Sequence, residues 1–157
     1  MGDWFGGSAG GPGLRLSNGA AAVFLDVLAP AACELARTGF ERGFGLLVCN
    51  ARIGSGNDGF DLDELPWSGE WEDERAFLLR VIELARTRFG WELLSYEPPF
   101  VDVYLAEYER LVRDYRPPVG PVEPARMWDP APADAAFVRC PRHGLFLGDY
   151  TDCRLCL

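Results

Sequence analysis

The stretch RCPRHGLFLGDYTDCRLCL, residues 139–157, contains three of the five cysteines and the single histidine of this chain. Its potential metal ligands, Cys140, His143, Cys153 and Cys156, follow the spacing C-x2-H-x9-C-x2-C. Each pair separated by two residues offers two ligands from one backbone turn, and the segment between the pairs is long enough for a tight hairpin. Zn2+ prefers four nitrogen or sulfur ligands in a tetrahedron. The stretch therefore predicts a structural zinc site with these four residues as ligands.

The two ligand pairs lie within the motifs Cys-Pro-x-His-Gly and Cys-x-x-Cys, with Gly144 and Gly148 at positions where the chain must turn sharply. This pattern resembles the zinc-knuckle and zinc-ribbon modules of many small bacterial and phage proteins. The resemblance implies a bound metal and a zinc-binding β-hairpin, and it assigns no activity, because such modules bind nucleic acid, dock onto proteins or staple a fold. No family resemblance extends to residues 1–136.

A disulfide and a catalytic metal are the alternatives for these cysteines. A bridge between Cys153 and Cys156 would close a very small loop, and the N-terminus lacks the pattern of a secretory signal. A catalytic zinc keeps one position open to water, whereas four protein ligands close the site. A structural site is therefore the favoured interpretation.

The residue types in the chain limit the chemistry that it can perform. All 15 basic residues are arginine, so there is no lysine for a phosphate-binding loop or a Schiff base. If zinc takes His143, no histidine remains as a general base. Cys33 and Cys49 are most simply small core residues. We therefore expect a protein that is not an enzyme.

Residues 58–74 contain eight acidic residues and no basic residue, interleaved with aromatic side chains. Acidic surfaces with aromatic anchors bind basic proteins, and the formal net charge of −9 is consistent with a basic or neutral protein partner. The alternatives are that the tryptophans cap the core, or that three aspartates form a loose cation site in a small metal-dependent enzyme. The predicted partner-binding residues are Asp58, Asp61, Asp63, Glu64, Trp67 and Trp71.

The predicted fold is α+β, with a small helix-on-sheet body, a Pro-rich linker and the zinc hairpin. Two helices are clear from their periodic apolar residues, one at about 69–89 with Ser68 as its N-cap and one at about 100–115. Residues 14–28 fit either a hairpin or a helix. The predicted domains are a flexible Gly-rich tail at 1–13, a body at 14–115, a linker at 116–136 and a zinc ribbon at 137–157. The other predicted elements of the body are a helix from Pro30 to Arg42 and two strands, at 43–53 and 91–96.

The leading functional hypothesis is a non-catalytic, zinc-containing interaction protein, such as an adaptor, an inhibitor or an immunity-type partner of another protein. The alternative is a nucleic-acid-associated protein that binds through Arg139, Arg142 and Arg154 of the ribbon. No apolar run is expected to reach the length of a membrane span. A cytoplasmic protein with no membrane partner is therefore expected.

Overall fold

The computed structural model describes residues 2–8, 11–51, 59–118 and 132–156. Within these ranges it contains four α-helices and one two-stranded antiparallel sheet, which confirms the α+β class. The main elements are β1 (Gly2–Gly6), β2 (Gly13–Ser17), α1 (Asn18–Leu35), α2 (Gly39–Asn50), α3 (Trp71–Arg86) and α4 (Val101–Asp114), and the 3-10 turns lie at Leu62–Glu64, Trp91–Leu93 and Asp134–Phe137. Two of these short turns lie between α2 and α3 and between α3 and α4, and the third follows α4.

The N-terminal segment pairs with the body, so the prediction of a flexible tail is wrong for β1. Its strand runs antiparallel to β2, with Phe5 opposite Leu14. Phe5 is fully buried and packs edge-on against Phe24 and Phe60, at ring-centroid distances of 5.0 and 5.5 Å. Burial of this aromatic ring offsets part of the entropy that is lost when the glycine-rich chain is ordered.

Helix α1 begins at the serine-containing turn rather than at Pro30. Ser17 is its N-cap, and the hydroxyl accepts a hydrogen bond from the backbone N–H of Ala20 at 3.2 Å. Pro30 lies inside the helix, where proline costs about 3 kcal/mol. The helix tolerates it because α1 is the central element, which contacts all three other helices and both strands and buries ten residues.

The predicted strand at 43–53 is wrong for residues 43–50, which belong to α2, and residues 52 and 53 lie outside the described residues. The helix predicted from Pro30 to Arg42 is interrupted between the end of α1 at Leu35 and the start of α2 at Gly39. Thr38 and Glu41 form a capping box, in which each side chain accepts a hydrogen bond from the backbone N–H of the other residue. Gly45 allows close packing, because a Cβ there would lie 3.0 Å from the ring of Phe146. The apolar run is buried, as expected, but in a helix.

The two clear helices are confirmed as α3 and α4, which pack against each other. Ser68 does not occupy the N-cap of α3; that position is Glu70, whose backbone N–H donates to the Ser68 hydroxyl. The tyrosines within α4, Tyr104 and Tyr108, pack against the core. Tyr108 is fully buried, and its ring packs edge-on against Phe24 at 5.2 Å.

The predicted strand at 91–96 is wrong, because Trp91–Leu93 is a 3-10 turn. Gly90 precedes it with a φ of +78°, and a Cβ there would lie 2.6 Å from Pro30. The 3-10 turn replaces the extended backbone that a strand at these positions requires. Nη2 of Arg88 donates to both carboxylate oxygens of Glu97, at 2.8 Å each, and this contact stabilises the loop.

Among the described helices, α1 is long and apolar enough to cross a membrane by length and composition, with a mean hydropathy of 1.3 over 18 residues. The sequence-based expectation that no run reaches this length is therefore wrong. In this structure 56% of that segment is buried inside the fold, in the position of a core helix.

Most of the predicted linker lies outside the described residues, including Trp128 and the Pro-x-x-Pro spacings that end at Pro121 and Pro124. Its last residues are described, and Asp134–Phe137 forms a 3-10 turn that contacts α2. We refer to residues 134–156 as the C-terminal module, which contains the described residues of the predicted zinc ribbon at 137–157.

Candidate metal centre

The four predicted ligands come together at one point. The ligand atoms of Cys140, His143, Cys153 and Cys156 all lie within 4.8 Å of one another. The Nδ1 atom of His143 is 3.7, 3.3 and 3.4 Å from the sulfur atoms of Cys140, Cys153 and Cys156, respectively. Cys156 Sγ is 3.6 Å from each of the other two sulfur atoms. The hypothesis of a metal-binding cluster is confirmed at the level of geometry.

These distances match what a tetrahedral ion imposes on its ligands. With bond lengths of about 2.3 Å to sulfur and about 2.0 Å to nitrogen, neighbouring ligands lie about 3.8 Å apart for two sulfurs and about 3.5 Å apart for sulfur and nitrogen. The observed separations fall within a few tenths of an ångström of both values. The cluster can therefore hold a metal ion without rearrangement of its ligands.

The first ligand pair is held by a tight turn. The backbone N–H of Gly144 donates to the carbonyl of Cys140 at 2.8 Å, and the N–H of Cys140 donates to the carbonyl of Leu145 at 2.8 Å. Gly144 has a φ of +75°, which glycine adopts readily. A single antiparallel bridge joins Arg139 and Phe146, so the predicted β-hairpin is reduced to one bridge.

The second pair is held in the same way, since the N–H of Cys156 donates to the carbonyl of Cys153 at 3.0 Å. Cys153 is fully buried, and Cys156 and His143 are half-buried. The environment is therefore largely shielded from water, as is common for structural metal centres.

The three thiols ionise under opposing influences. Burial raises the pKa of Cys140, but the backbone N–H groups of His143 and Arg142 outweigh burial and hold the pKa at about 6. Burial raises the pKa of Cys153 to about 12, and the neighbouring thiols add to this effect. Three thiolates at these distances repel one another, so a bound cation is what allows all of them to be deprotonated together.

The module packs onto the helical body through its apolar side chains. Leu145 and Phe146 are buried, with exposed fractions of 1% and 2%. The Phe146 ring packs edge-on against Phe137 at 5.5 Å and lies against Gly45 of α2. The Cys3His cluster therefore belongs to a module that packs against the core of the helical body.

Arg154 is the main polar contact between the module and the body. Its Nε donates to the carboxylate of Asp26 at 2.7 Å, and its Nη1 donates to the carbonyls of Val48 and Ala51 at 2.9 and 2.7 Å. The two carbonyls belong to the C-terminal end of α2, where a cation also interacts favourably with the helix dipole. Tyr96 donates a second hydrogen bond to Asp26 at 2.6 Å.

A glycine and an asparagine complete this interface. The side-chain oxygen of Asn50 accepts a hydrogen bond from the N–H of Asp149 at 3.3 Å. Gly148 has a φ of +62°, and a Cβ there would lie 1.7 Å from that same oxygen. The position therefore requires glycine for both its backbone conformation and the available space.

Several of the predicted partner-binding residues make contacts within the fold instead. One of them, Asp58, lies outside the described residues. Trp67 donates to the carbonyl of Leu62 at 2.7 Å and lies between the rings of Phe40 and Tyr115. It therefore caps the core, which was the alternative interpretation of the tryptophans.

The acidic side chains nearby also have structural partners. Tyr115 donates to the carboxylate of Asp63 at 2.5 Å, and Glu64 accepts from the N–H of Asp61 at 2.6 Å. Trp71 lies beneath the guanidinium groups of Arg75 and Arg116, at 5.2 and 5.9 Å. Within the described ranges, no cation-binding group forms from the aspartates of this loop.

Comparison of the chain with protein-family models, with curated proteins and with solved structures finds no match. The site therefore rests on the geometry of its own residues, which define a protein with a Cys3His metal-binding cluster packed on a helical body. Sequence reasoning found all four residues of the cluster but missed Asp26 and Asn50, which hold the module. No local signal marks these two residues, because their partners lie about 100 or more positions away in the chain.

Proposed function

We propose that the protein is a non-catalytic interaction protein whose C-terminal module is held together by structural Zn2+. The observation that carries this proposal is the closed cluster of Cys140, His143, Cys153 and Cys156. Three thiolates and one imidazole suit the preference of Zn2+ for soft ligands in a tetrahedral arrangement. Because all four positions are taken by the protein, no position remains for a reacting water.

The remaining residues support a role without catalysis. His143, the single histidine, is a ligand, and the chain has no lysine. Cys33 and Cys49 are buried, with exposed fractions of 2% and 1%, and therefore cannot reach a substrate in this conformation. General acid–base and nucleophilic chemistry would have to depend on carboxylates or tyrosines alone.

The surface that we assign to a basic protein partner is the exposed acidic start of α3. Glu70, Glu72 and Asp73 are exposed there, and we refer to these three residues as the α3 acidic patch. Clustered charge of one sign accelerates encounter with a partner of the opposite sign. This patch is smaller than the sequence suggested, because Asp63, Glu64 and Trp67 have hydrogen-bond partners within the fold.

Nucleic-acid binding through the module is the second candidate, and the contacts of its arginines argue against it. Arg154 is buried against Asp26. Arg139 donates to the carbonyls of Gly144 and Cys33 and lies over the Phe146 ring. Arg139 and Arg142 are both exposed, but the Arg139 guanidinium is already engaged in these contacts, and the two residues provide a weak phosphate-binding surface in a chain of net charge −9.

The experiment is capture of partners from a native lysate by tagged zinc-loaded protein. The test variant reverses the α3 acidic patch (Glu70→Arg, Glu72→Arg and Asp73→Arg). The matched control reverses three acidic residues exposed elsewhere, Glu83, Asp102 and Glu107. We expect a basic protein that is captured by the wild type and the control, and lost with the test variant.

A second arm measures binding to labelled double-stranded DNA and single-stranded RNA between low and physiological salt. Measurable affinity with a steep salt dependence would favour the nucleic-acid candidate over the protein partner. Capture that is equal for all three proteins would remove the α3 acidic patch from the proposal.

A further inference from the structure

A pair of free thiols lies buried between α1 and α2. The sulfur atoms of Cys33 and Cys49 are 3.4 Å apart, and the two side chains have exposed fractions of 2% and 1%. A disulfide has a sulfur–sulfur bond of about 2.05 Å, so the two atoms would have to approach by about 1.3 Å to form one. Side-chain rotation can bring about movement of this size.

The C-terminal module covers this pair. The backbone N–H of Phe146 faces both sulfur atoms. Arg139 donates from Nη2 to the carbonyl of Cys33 at 2.8 Å, and the Phe146 ring fills the space against Gly45. The residues that screen the thiols from solvent are therefore neighbours of the metal ligands, held in place by the same turn.

We propose that Cys33 and Cys49 form an oxidation site that closes to an intramolecular disulfide when the C-terminal module loses its metal and moves away. The inference goes beyond the proposed function but rests on its metal site. Loss of metal removes the folding energy of the module and exposes the thiols to a two-electron oxidant of the peroxide class.

The chemistry balances with hydrogen peroxide as the oxidant. The thiolate of one cysteine attacks a peroxide oxygen and the O–O bond breaks. A sulfenic acid forms on that cysteine, and the hydroxide that leaves takes up the proton released by the thiol and becomes one water. The sulfur of the second cysteine then attacks the first sulfur, the S–O bond breaks, and a second water leaves. In total two thiols lose two electrons and two protons, and peroxide is reduced to two waters.

The local environment distinguishes the two cysteines. A hydrogen bond between them lowers the pKa of the Cys33 thiol and raises that of Cys49, and burial raises both. Arg139 also favours the charged form of Cys33, but it belongs to the module and its effect ends when the module moves away. The contact between the two sulfur atoms lies between α1 and α2 and does not depend on the module, so Cys33 is assigned as the first nucleophile and Cys49 as the residue that resolves the intermediate.

The test compares zinc-loaded full-length protein with the same protein after chelation, each exposed to hydrogen peroxide and then alkylated. Because the chain has no lysine, trypsin cleaves it after arginine alone, and every cysteine falls in a different peptide. These peptides are residues 16–37, 43–52, 140–142, 143–154 and 155–157. Mass spectrometry then measures the cross-link between peptides 16–37 and 43–52 separately from any bridge within the module.

We expect the Cys33–Cys49 cross-link to form at least about tenfold faster after chelation, because oxidation of a buried group proceeds through a local opening whose population sets the rate. This cross-link should dominate over mixed bridges to the module. Equal rates with and without metal, no cross-link under either condition, or mixed bridges in equal amount would each overturn the inference. Absence of bound metal in the starting protein would instead contradict the proposed metal site.

A variant separates release of the module from general unfolding. Phe146→Ala leaves the four ligands in place but removes the ring that covers the thiols, and Val138→Ala is a control at a position that is 54% exposed in the same module. With zinc still bound and the helical content unchanged, Phe146→Ala should form the Cys33–Cys49 cross-link faster than the wild type, and Val138→Ala should not. If Phe146→Ala fails to fold, the chelation experiment decides alone.

Discussion

Replacement of Arg154 by alanine tests whether the C-terminal module and the helical body fold as one unit. The Arg154 guanidinium donates to Asp26 and to the carbonyls of Val48 and Ala51. The side chains of Arg154 and Asp26 are only 6% and 16% exposed. Alanine would leave the Asp26 carboxylate with Tyr96 as its remaining hydrogen-bond donor and would leave the end of α2 without its cation.

The expected cost follows from this burial. Removal of one partner from a buried ion pair typically costs about 3 to 5 kcal/mol, because the other charge stays buried without compensation. The hydrogen bond from Tyr96 to Asp26 reduces this penalty, so we expect the lower end, about 3 kcal/mol. With a urea dependence of about 2 kcal/mol per molar, the midpoint of unfolding should fall by about 1.5 M.

The assay is urea unfolding of zinc-saturated protein, followed by far-ultraviolet circular dichroism, which reports on the helices rather than on the module. Arg142→Ala is the matched control, because Arg142 lies within the other ligand pair, between Cys140 and His143, but is exposed. It should change the free energy of unfolding by no more than about 0.5 kcal/mol. A loss below about 1 kcal/mol for Arg154→Ala, the range of surface ion pairs, would refute a module that stabilises the body.

Two further predictions concern the body. The Tyr108 hydroxyl is buried without a hydrogen-bond partner among the described residues, and burial raises its pKa; Tyr108→Phe should therefore stabilise the protein by about 1 kcal/mol at neutral pH. In the unfolded chain Tyr108 ionises at about pH 10, whereas in the folded protein its hydroxyl stays neutral to higher pH, so the free energy of unfolding of the wild type falls as pH rises above about 10. Urea unfolding at about pH 9 and pH 11 should therefore show a smaller fall for Tyr108→Phe than for the wild type. An equal fall would contradict the assignment. Thr38→Ala should lower the free energy of unfolding by about 1 kcal/mol by removing the cap of α2, with the exposed Thr151→Ala as a control that shows no change.

The metal ligands could be predicted from sequence because their chemistry is local. Each pair is separated by two residues, and the turn between them depends on hydrogen bonds within the same few positions. Helices α3 and α4 were predictable for a similar reason, since a periodic apolar face specifies a helix whatever it packs against.

The helical state of residues 43–50 could not be read from apolar content, because a short buried run fits a strand or a helix equally well. The signal that decides it is the capping box of Thr38 and Glu41, which lies before the run rather than in it. The prediction that a helix begins at Pro30 is wrong, because the cost of proline inside a helix is small beside the free energy gained by burying ten residues of α1.

The acidic surface shows the other limit of sequence reasoning. Asp63 and Trp67 have the residue types of a binding surface, but their partners, Tyr115 and Phe40, lie far away in the sequence. Only the packing of α4 against this loop shows that these side chains serve the fold. Charge count alone therefore overestimated the surface that remains for a partner.

The central claim is that the four ligands hold one Zn2+ ion. The most direct measurement is native mass spectrometry, with elemental analysis, of full-length protein purified without chelators. We predict one zinc per chain for the wild type and for Cys33→Ser, whose thiol is not a ligand, and loss of the metal in Cys153→Ser. Wild-type protein without bound metal, or a Cys153→Ser variant that keeps it, would contradict the account.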